Sequence, residues 1–221
     1  GRGGVAVVPV FAVGRAQAVL HTIAQLKAAG ELPRSLPIFL DSPMAIHTTA
    51  LFEKHMGEHR LSLPEVHAMD RVATMLETPD QSKSLATRHG PMVILAASGM
   101  ATGGRVLHHL AQYAGDHRNM IILTGFQAPG TRGERLASGQ TSIRIHGQDV
   151  AVRAEVVQTE SASAHADGNQ LLSWLHKMPT APGQVYVVHG EREASDMLRQ
   201  RIEHEIKWRA VVPEHGSVWP A

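Results

Sequence analysis

Four short apolar runs, each followed by a stretch of helical periodicity, constrain this chain more than any other feature. They are VAVVPV (5–10), PIFLD (37–41), PMVILAA (91–97) and NMIILTG (119–125). Runs this short and this rich in Val, Ile and Leu read as strands buried on both faces, the environment of a parallel sheet covered by helices. Residues 14–29 read as the first helix, with Ala18, Val19, Thr22, Ile23 and Leu26 along one face and Gly30 as its stop. A second helix spans 43–56, opened by Pro43, a favoured first-turn residue. Residues 57–90 are polar and broken, with at least one short helix, and another helix runs from 104 to 114. This alternation specifies an α/β fold with a mainly parallel sheet flanked by helices.

The pattern changes at 127–140. QAPGTRGERLASGQ is rich in glycine and turn formers, and a domain boundary is expected there. The stretches TSIRIHG and QDVAVRAEVVQ then alternate apolar and polar residues, as half-exposed strands of a hairpin do. A helix (168–177), a strand (184–188), a helix (191–206) and a short strand (209–212) complete the chain. With 221 residues, 43% of them hydrophobic, there is material for one large domain or two small ones. No apolar run approaches the roughly 18 residues of a membrane span, so no membrane association is expected. The opening GRGGVAVVPVFAVGRAQ lacks the layout of a signal peptide. The absence of cysteine rules out disulfides and thiolate metal sites and fits a reducing, cytoplasmic setting. A net charge of +1 excludes nucleic-acid binding by bulk charge alone, and 4% aromatic content leaves few stacking platforms for bases.

Three strand-to-helix junctions carry candidate chemistry. AASGMATGGR (96–105) passes through small residues whose backbone N–H groups can cradle a phosphate, with Ser98 adding a hydroxyl and Arg105 a second contact. Equally, its glycines can serve only close packing. The stretch is neither a Walker loop nor a G-x-S-x-G nucleophile elbow, because Ala96 stands at the first glycine position. A serine hydrolase built on Ser98, His189 and an aspartate is disfavoured on that ground. In FAVGRAQ (11–17), Arg15 and Gln17 occupy a helical first turn. An arginine there opposes the helix dipole and calls for a phosphate, a carboxylate or backbone carbonyls; structural anchoring is the favoured reading. In FLDSPMA (39–45), Asp41 stands at a strand's carboxyl end, where α/β sheets place functional groups. Asp41, Ser42 and Pro43 also make a helix cap, the preferred reading.

Two histidines stand out among fifteen. His189 closes VYVV and leads through Gly190 and Glu191 into a helix, while His165 in TESASAHAD precedes a helix with Asp167 as its cap. Two neutral imidazoles can bind zinc together, or one can bind while the other donates a proton. A catalytic zinc site needs at least three protein ligands, and neither H-x-H nor H-E-x-x-H occurs. His108 and His109 are adjacent on a helix and point about 100° apart, a poor geometry for sharing an ion.

Seven stretches resemble, in order and spacing, the β-CASP branch of metallo-β-lactamase-fold RNases, the bacterial and archaeal relatives of the cleavage-and-polyadenylation endonuclease. They are GGVAVVPVFAVGRAQAVL, IFLDSPMA, ASGMATGGRVLHHL, GFQAPGTRGERLASG, IRIHGQDVAVRAEV, SAHAD and VYVVHGE. The resemblance covers essentially the whole chain. It implies a β-CASP domain over 1–130, then the C-terminal portion of a metallo-β-lactamase αββα fold over 131–221. Family members carry H-x-H-x-D-H, further ligands and a motif A carboxylate in an N-terminal half; this sequence contains none of them and matches the C-terminal half. His165 matches motif B and His189 motif C, whereas Asp41 is not motif A by position.

The resemblance further implies two zinc ions that activate water for in-line attack on an RNA phosphodiester. His189 would be a zinc ligand and His165 would sit beside the scissile phosphate, with Glu191 and Asp167 in support behind them. Ser98, Gly99, Met100 and Arg105 would face RNA phosphates. The expected protein is an RNA-processing nuclease, endo- or 5′-exonucleolytic, with RNA as partner. The 221 residues alone should hold an incomplete metal site and be nearly inactive. The alternative is a non-catalytic RNA-binding or scaffold paralogue. Residues beyond 140 should expose apolar faces, so a homodimer or other self-association is expected.

Overall fold

A computed structural model describes residues 2–88, 90–159 and 165–219. They form two compact units, residues 1–163 and 164–221. Residues 160–164, within TESASAHAD, lie outside the described residues.

The first unit opens with β1 (Val5–Pro9), α1 (Arg15–Ala28), β2 (Ile38–Asp41) and α2 (Pro43–Lys54). Then come α3 (Leu63–Arg71), β3 (Thr74–Met75), α4 (Pro79–Ser84), β4 (Met92–Ala96), α5 (Val106–Tyr113) and β5 (Met120–Leu123). It closes with α6 (Arg132–Ala137), β6 (Ser142–Ile145), β7 (Gln148–Ala151) and β8 (Glu155–Gln158). Six strands make one parallel sheet in the order β3-β2-β4-β1-β5-β8. The apolar runs therefore become strands as their composition requires. Alternate residues serve opposite faces. Val8, Ile38, Leu40 and Leu95 pack with Ala16, Leu20, Val66 and Met69 beneath α1 to α3. Val7, Phe39, Ile94 and Ile121 pack with Leu107, Leu110 and Leu136 beneath α5 and α6.

Three local features differ from the sequence reading. Ser42, not Asp41, caps α2: its hydroxyl accepts from the Ala45 N–H at 3.3 Å, and Pro43 fills the first turn. Asp41 belongs to the strand and points into a buried polar cluster described below. The hairpin is β6 with β7 only; β8 leaves it and joins β5 in parallel. The chain turns because the N–H groups of Arg153 and Ala154 both donate to the Ala114 carbonyl, at 2.8 and 2.9 Å. Finally, the turn-rich stretch 127–140 contains α6, started by Thr131, whose side chain accepts from the Glu134 N–H at 3.1 Å.

The second unit contains α7 (Gly168–Leu175), β9 (Val185–Tyr186), α8 (Arg192–Arg201) and β10 (Ala210–Val211). β9 and β10 pair in parallel, and a π-helical turn over Ile202–Ile206 extends α8. Leu172, Leu175, Val187, Ile202 and Ala210 form its small core. Among the described residues, no helix is long and apolar enough to cross a membrane.

Candidate functional site

The carboxyl edge of the parallel sheet carries most of the polar side chains singled out from sequence. Asp41 ends β2 with no solvent exposure. Its Oδ1 accepts from Arg105 Nη1 at 2.7 Å; its Oδ2 accepts from the Ser82 hydroxyl at 2.5 Å and lies 2.6 Å from His109 Nε2. An ionised carboxylate only accepts, so His109 holds its proton on Nε2. Burial pushes the Asp41 pKa up, but hydrogen bonds from His109, Ser82 and Arg105 together outweigh it and hold the carboxyl below its ordinary value. Arg105 also donates to the carbonyls of Leu76 at 3.0 Å and Glu77 at 2.8 Å. Both its terminal nitrogens are thus committed within the fold.

Arg105 closes the turn that begins at Ala97. Within it, the Ser98 hydroxyl accepts from the Thr102 N–H at 3.1 Å and pairs with the Thr102 hydroxyl at 3.0 Å. Within the first unit both of these partners belong to Thr102. The N–H groups of Ser98, Ala101 and Val106 are spent on carbonyls of the same segment. Those of Gly99 and Met100 make no intramolecular hydrogen bond among the described residues. Two glycines are required by packing. A Cβ at Gly99 would lie 2.8 Å from the Phe11 ring, and one at Gly104, whose φ is +75°, would lie 2.5 Å from the Ala97 carbonyl oxygen.

Residues outside the quoted turn hold it in place, and sequence reasoning passed over them. Gln127 Nε2 donates to the Gly99 carbonyl at 3.2 Å, and the Gly133 N–H donates to the Met100 carbonyl at 3.0 Å. Arg132 Nη1 reaches the carbonyls of Ala101 and Thr102 at 3.3 and 3.4 Å. The glycine-rich 127–133 stretch is therefore a clamp on the 97–105 turn. Its signal in the sequence was the T-x-x-E spacing of Thr131 and Glu134.

Of the first-turn pair in α1, Gln17 is a buried hub. Its Nε2 donates to the carbonyls of Ala12 and Ala45, both at 3.2 Å, and to the Thr49 hydroxyl at 2.9 Å. Arg15 departs from the expected anchor: its Nε is buried without a partner, and among the described residues no carboxylate pairs with it.

The second unit carries the two histidines. His165 is exposed, two residues before the cap of α7. Asp167 is that cap: it accepts from the Gln170 N–H at 2.9 Å, and Gln170 returns the bond to the Asp167 N–H at 2.9 Å. His189 follows β9 and is exposed in a left-handed conformation, φ 65°. Glu191 starts α8, its carbonyl accepting from the Ser195 N–H at 2.8 Å, and makes no side-chain cap bond. Among the described residues, no three His, Asp or Glu side chains converge on a common point. Two imidazoles suit zinc in donor type, but they fall one short of a catalytic set.

The Beta-Casp domain family model matches residues 16–136, and that of the Zn-dependent metallo-hydrolase RNA specificity domain matches residues 149–213. An RNase J-like protein of Methanocaldococcus jannaschii is 35% identical over 220 residues, covering 99% of this chain and 50% of that protein. Ribonuclease TTHA0252 of Thermus thermophilus is 37% identical over 201 residues, covering 87% and 44%. Transcription termination factor FttA of Methanosarcina mazei is 29% identical over 218 residues, covering 93% and 34%. The chain spans half or less of the length of these relatives.

Proposed function

Because the chain belongs to the β-CASP branch of the metallo-β-lactamase-fold RNase family, we propose that it is part of a cytoplasmic, zinc-dependent nuclease that hydrolyses RNA phosphodiester bonds. One observation carries this reading: His165 and His189 both fall within the stretch that matches an RNA specificity domain of Zn-dependent metallo-hydrolases. The names of the ribonuclease relatives support RNA as the substrate.

In this proposal the family's two domains meet near residue 130. His189 would supply one imidazole to a centre of two zinc ions, which would supply charge stabilisation for phosphodiester hydrolysis. His165 would stand by the scissile phosphate, stabilising its charge or protonating the leaving oxygen. Asp167 fixes the start of α7 beside His165, and Glu191 is assigned to orient the His189 imidazole. Ser98, Gly99 and Met100 bind backbone phosphate, supported by the uncommitted Gly99 and Met100 amides and by the clamp that makes the turn rigid. Arg105 is assigned to fixing that turn, since its terminal nitrogens are taken up by Asp41 and two carbonyls.

The 221 residues alone supply too few ligands for this centre in the proposal, so the isolated chain should leave labelled RNA intact with zinc present. The full-length protein should cleave it. A full-length protein that neither cleaves RNA nor binds zinc removes the enzymatic reading. If it binds RNA without cleaving, the non-catalytic paralogue takes its place.

A further inference from the structure

We infer that the first unit carries a second phosphate subsite for the RNA backbone, in the pocket where the 97–105 turn, α6 and the β6–β7 hairpin meet. The inference rests on the RNA-binding reading above and extends it to residues that reading does not use. The pocket encloses about 490 Å³, and Arg132, Arg135 and Arg144 line it together with Thr102 and Thr131.

Three guanidinium groups, two from α6 and one from β6, line this space. Arg132 is fixed: its Nε donates to the Arg144 carbonyl and its Nη1 to Ala101 and Thr102. The only carboxylate paired with any of the three, among the described residues, is Asp149, 3.9 Å from Arg144 Nη1. Both partners of that pair are well exposed, at 66% and 70%, so it holds Arg144 weakly. Arg135 is exposed and has no ion-pair partner among the described residues. The pocket therefore concentrates positive charge that the fold does not neutralise, although the chain as a whole is close to neutral at +1.

A phosphate suits the pocket better than a carboxylate. Its tetrahedral oxygens can accept from more than one guanidinium at once, and planar arginine forks are the side chains best matched to it. Gly130 and Gly147 border the pocket, and a Cβ at either would meet nothing within 4 Å, so no side chain crowds the rim at these two positions. Continuity gives the occupant. Thr102 lines this pocket and pairs with Ser98 at 3.0 Å, so the pocket adjoins the Ser98–Met100 turn. One single strand can lay successive phosphates on both. Free inorganic phosphate offers the same oxyanion chemistry without the strand.

The test is the salt dependence of binding between the 221-residue chain and a single-stranded RNA oligonucleotide, followed by fluorescence anisotropy. Arg135→Gln with Arg144→Gln removes two cations and spares the backbone contacts of Arg132. This variant should keep the wild-type unfolding midpoint. Its slope of log K against log salt should shrink by about 1.4, at roughly 0.7 per phosphate contact on a single strand. The charge-matched Arg34→Gln with Arg60→Gln should leave the slope unchanged. Wild-type binding with an unaltered slope in the Arg135/Arg144 variant overturns the subsite and leaves the RNA reading standing. If the wild-type chain binds no RNA, the subsite falls, and the RNA reading is decided by the cleavage test on the full-length protein. If calorimetry shows that the variant loses inorganic phosphate binding while its RNA slope is unaltered, the pocket takes free phosphate and the backbone assignment is wrong.

Discussion

A carboxylate with no exposure has to be satisfied where it stands, and Asp41 is satisfied by three side chains remote in sequence. Ser82, Arg105 and His109 lie 41, 64 and 68 positions further along the chain. No local spacing encodes such a cluster, which is why Asp41 read as a cap. Replacing it by Asn leaves Arg105 without its counter-charge and removes an acceptor from Ser82 or His109. Asp41→Asn should therefore cost about 3–5 kcal/mol, measured by urea unfolding. The pH dependence follows from the lowered pKa of Asp41. A carboxyl whose folded pKa lies below its unfolded value gives full stability above the ordinary range near 4, and loses it as pH falls through the lowered value. Acid unfolding of the wild type should show that loss, and Asp41→Asn should flatten it. Gly104 is a second case. Its role as a packing glycine was legible as one of two alternatives, and the +75° φ with the nearby Ala97 carbonyl decides for a strict requirement. Gly104→Ala should cost about 2 kcal/mol, read as a drop in melting temperature.

Elements were legible wherever the signal was local. The apolar runs gave β1, β2, β4 and β5 to within a residue or two at each end, because a strand buried on both faces leaves few other compositions. Capping boxes at Ser62–Glu65, Thr78–Gln81 and Asp167–Gln170 mark α3, α4 and α7 by the same three-residue spacing. Of these only the Asp167 cap was read from the sequence; the spacings at Ser62 and Thr78, and that of Thr131 to Glu134, lay unread among polar residues and turn formers, and α3, α4 and α6 with them. β8 failed for another reason. Its alternation fits a hairpin arm as well as a sheet edge, and periodicity does not name a partner. The Ala114 carbonyl makes the choice through two bonds that only the folded chain brings together. Thr131→Ala should remove the α6 cap at about 1 kcal/mol by thermal melting. Because α6 also clamps the 97–105 turn through Gly133 and Arg132, RNA affinity should fall even at temperatures where the variant remains folded. Unchanged affinity in the folded variant would separate the clamp from binding.

At the scale of the whole molecule, the α/β class and its parallel sheet were readable from alternation alone. The histidine pair was not interpretable in that way. His165 and His189 acquire roles only through resemblance to a family whose relatives are about twice as long, because metal ligands gathered from distant parts of a chain leave no local pattern. The second unit leaves Trp174, Val188 and Met197 more than half exposed around a small core. Apolar surface of that kind favours association. The isolated 221-residue chain should therefore run as a dimer or larger species in light scattering at micromolar concentration, and a monodisperse monomer would count against it. The central claim is that these residues belong to the catalytic apparatus of an RNA-cleaving zinc enzyme. It is tested most directly by zinc-dependent cleavage of 5′-labelled RNA by the full-length protein, wild type against His189→Ala, with bound zinc measured on the same samples. The account predicts cleavage by the wild type, and a loss of at least ~100-fold in His189→Ala accompanied by reduced zinc content. Cleavage and zinc content untouched by that substitution would contradict it.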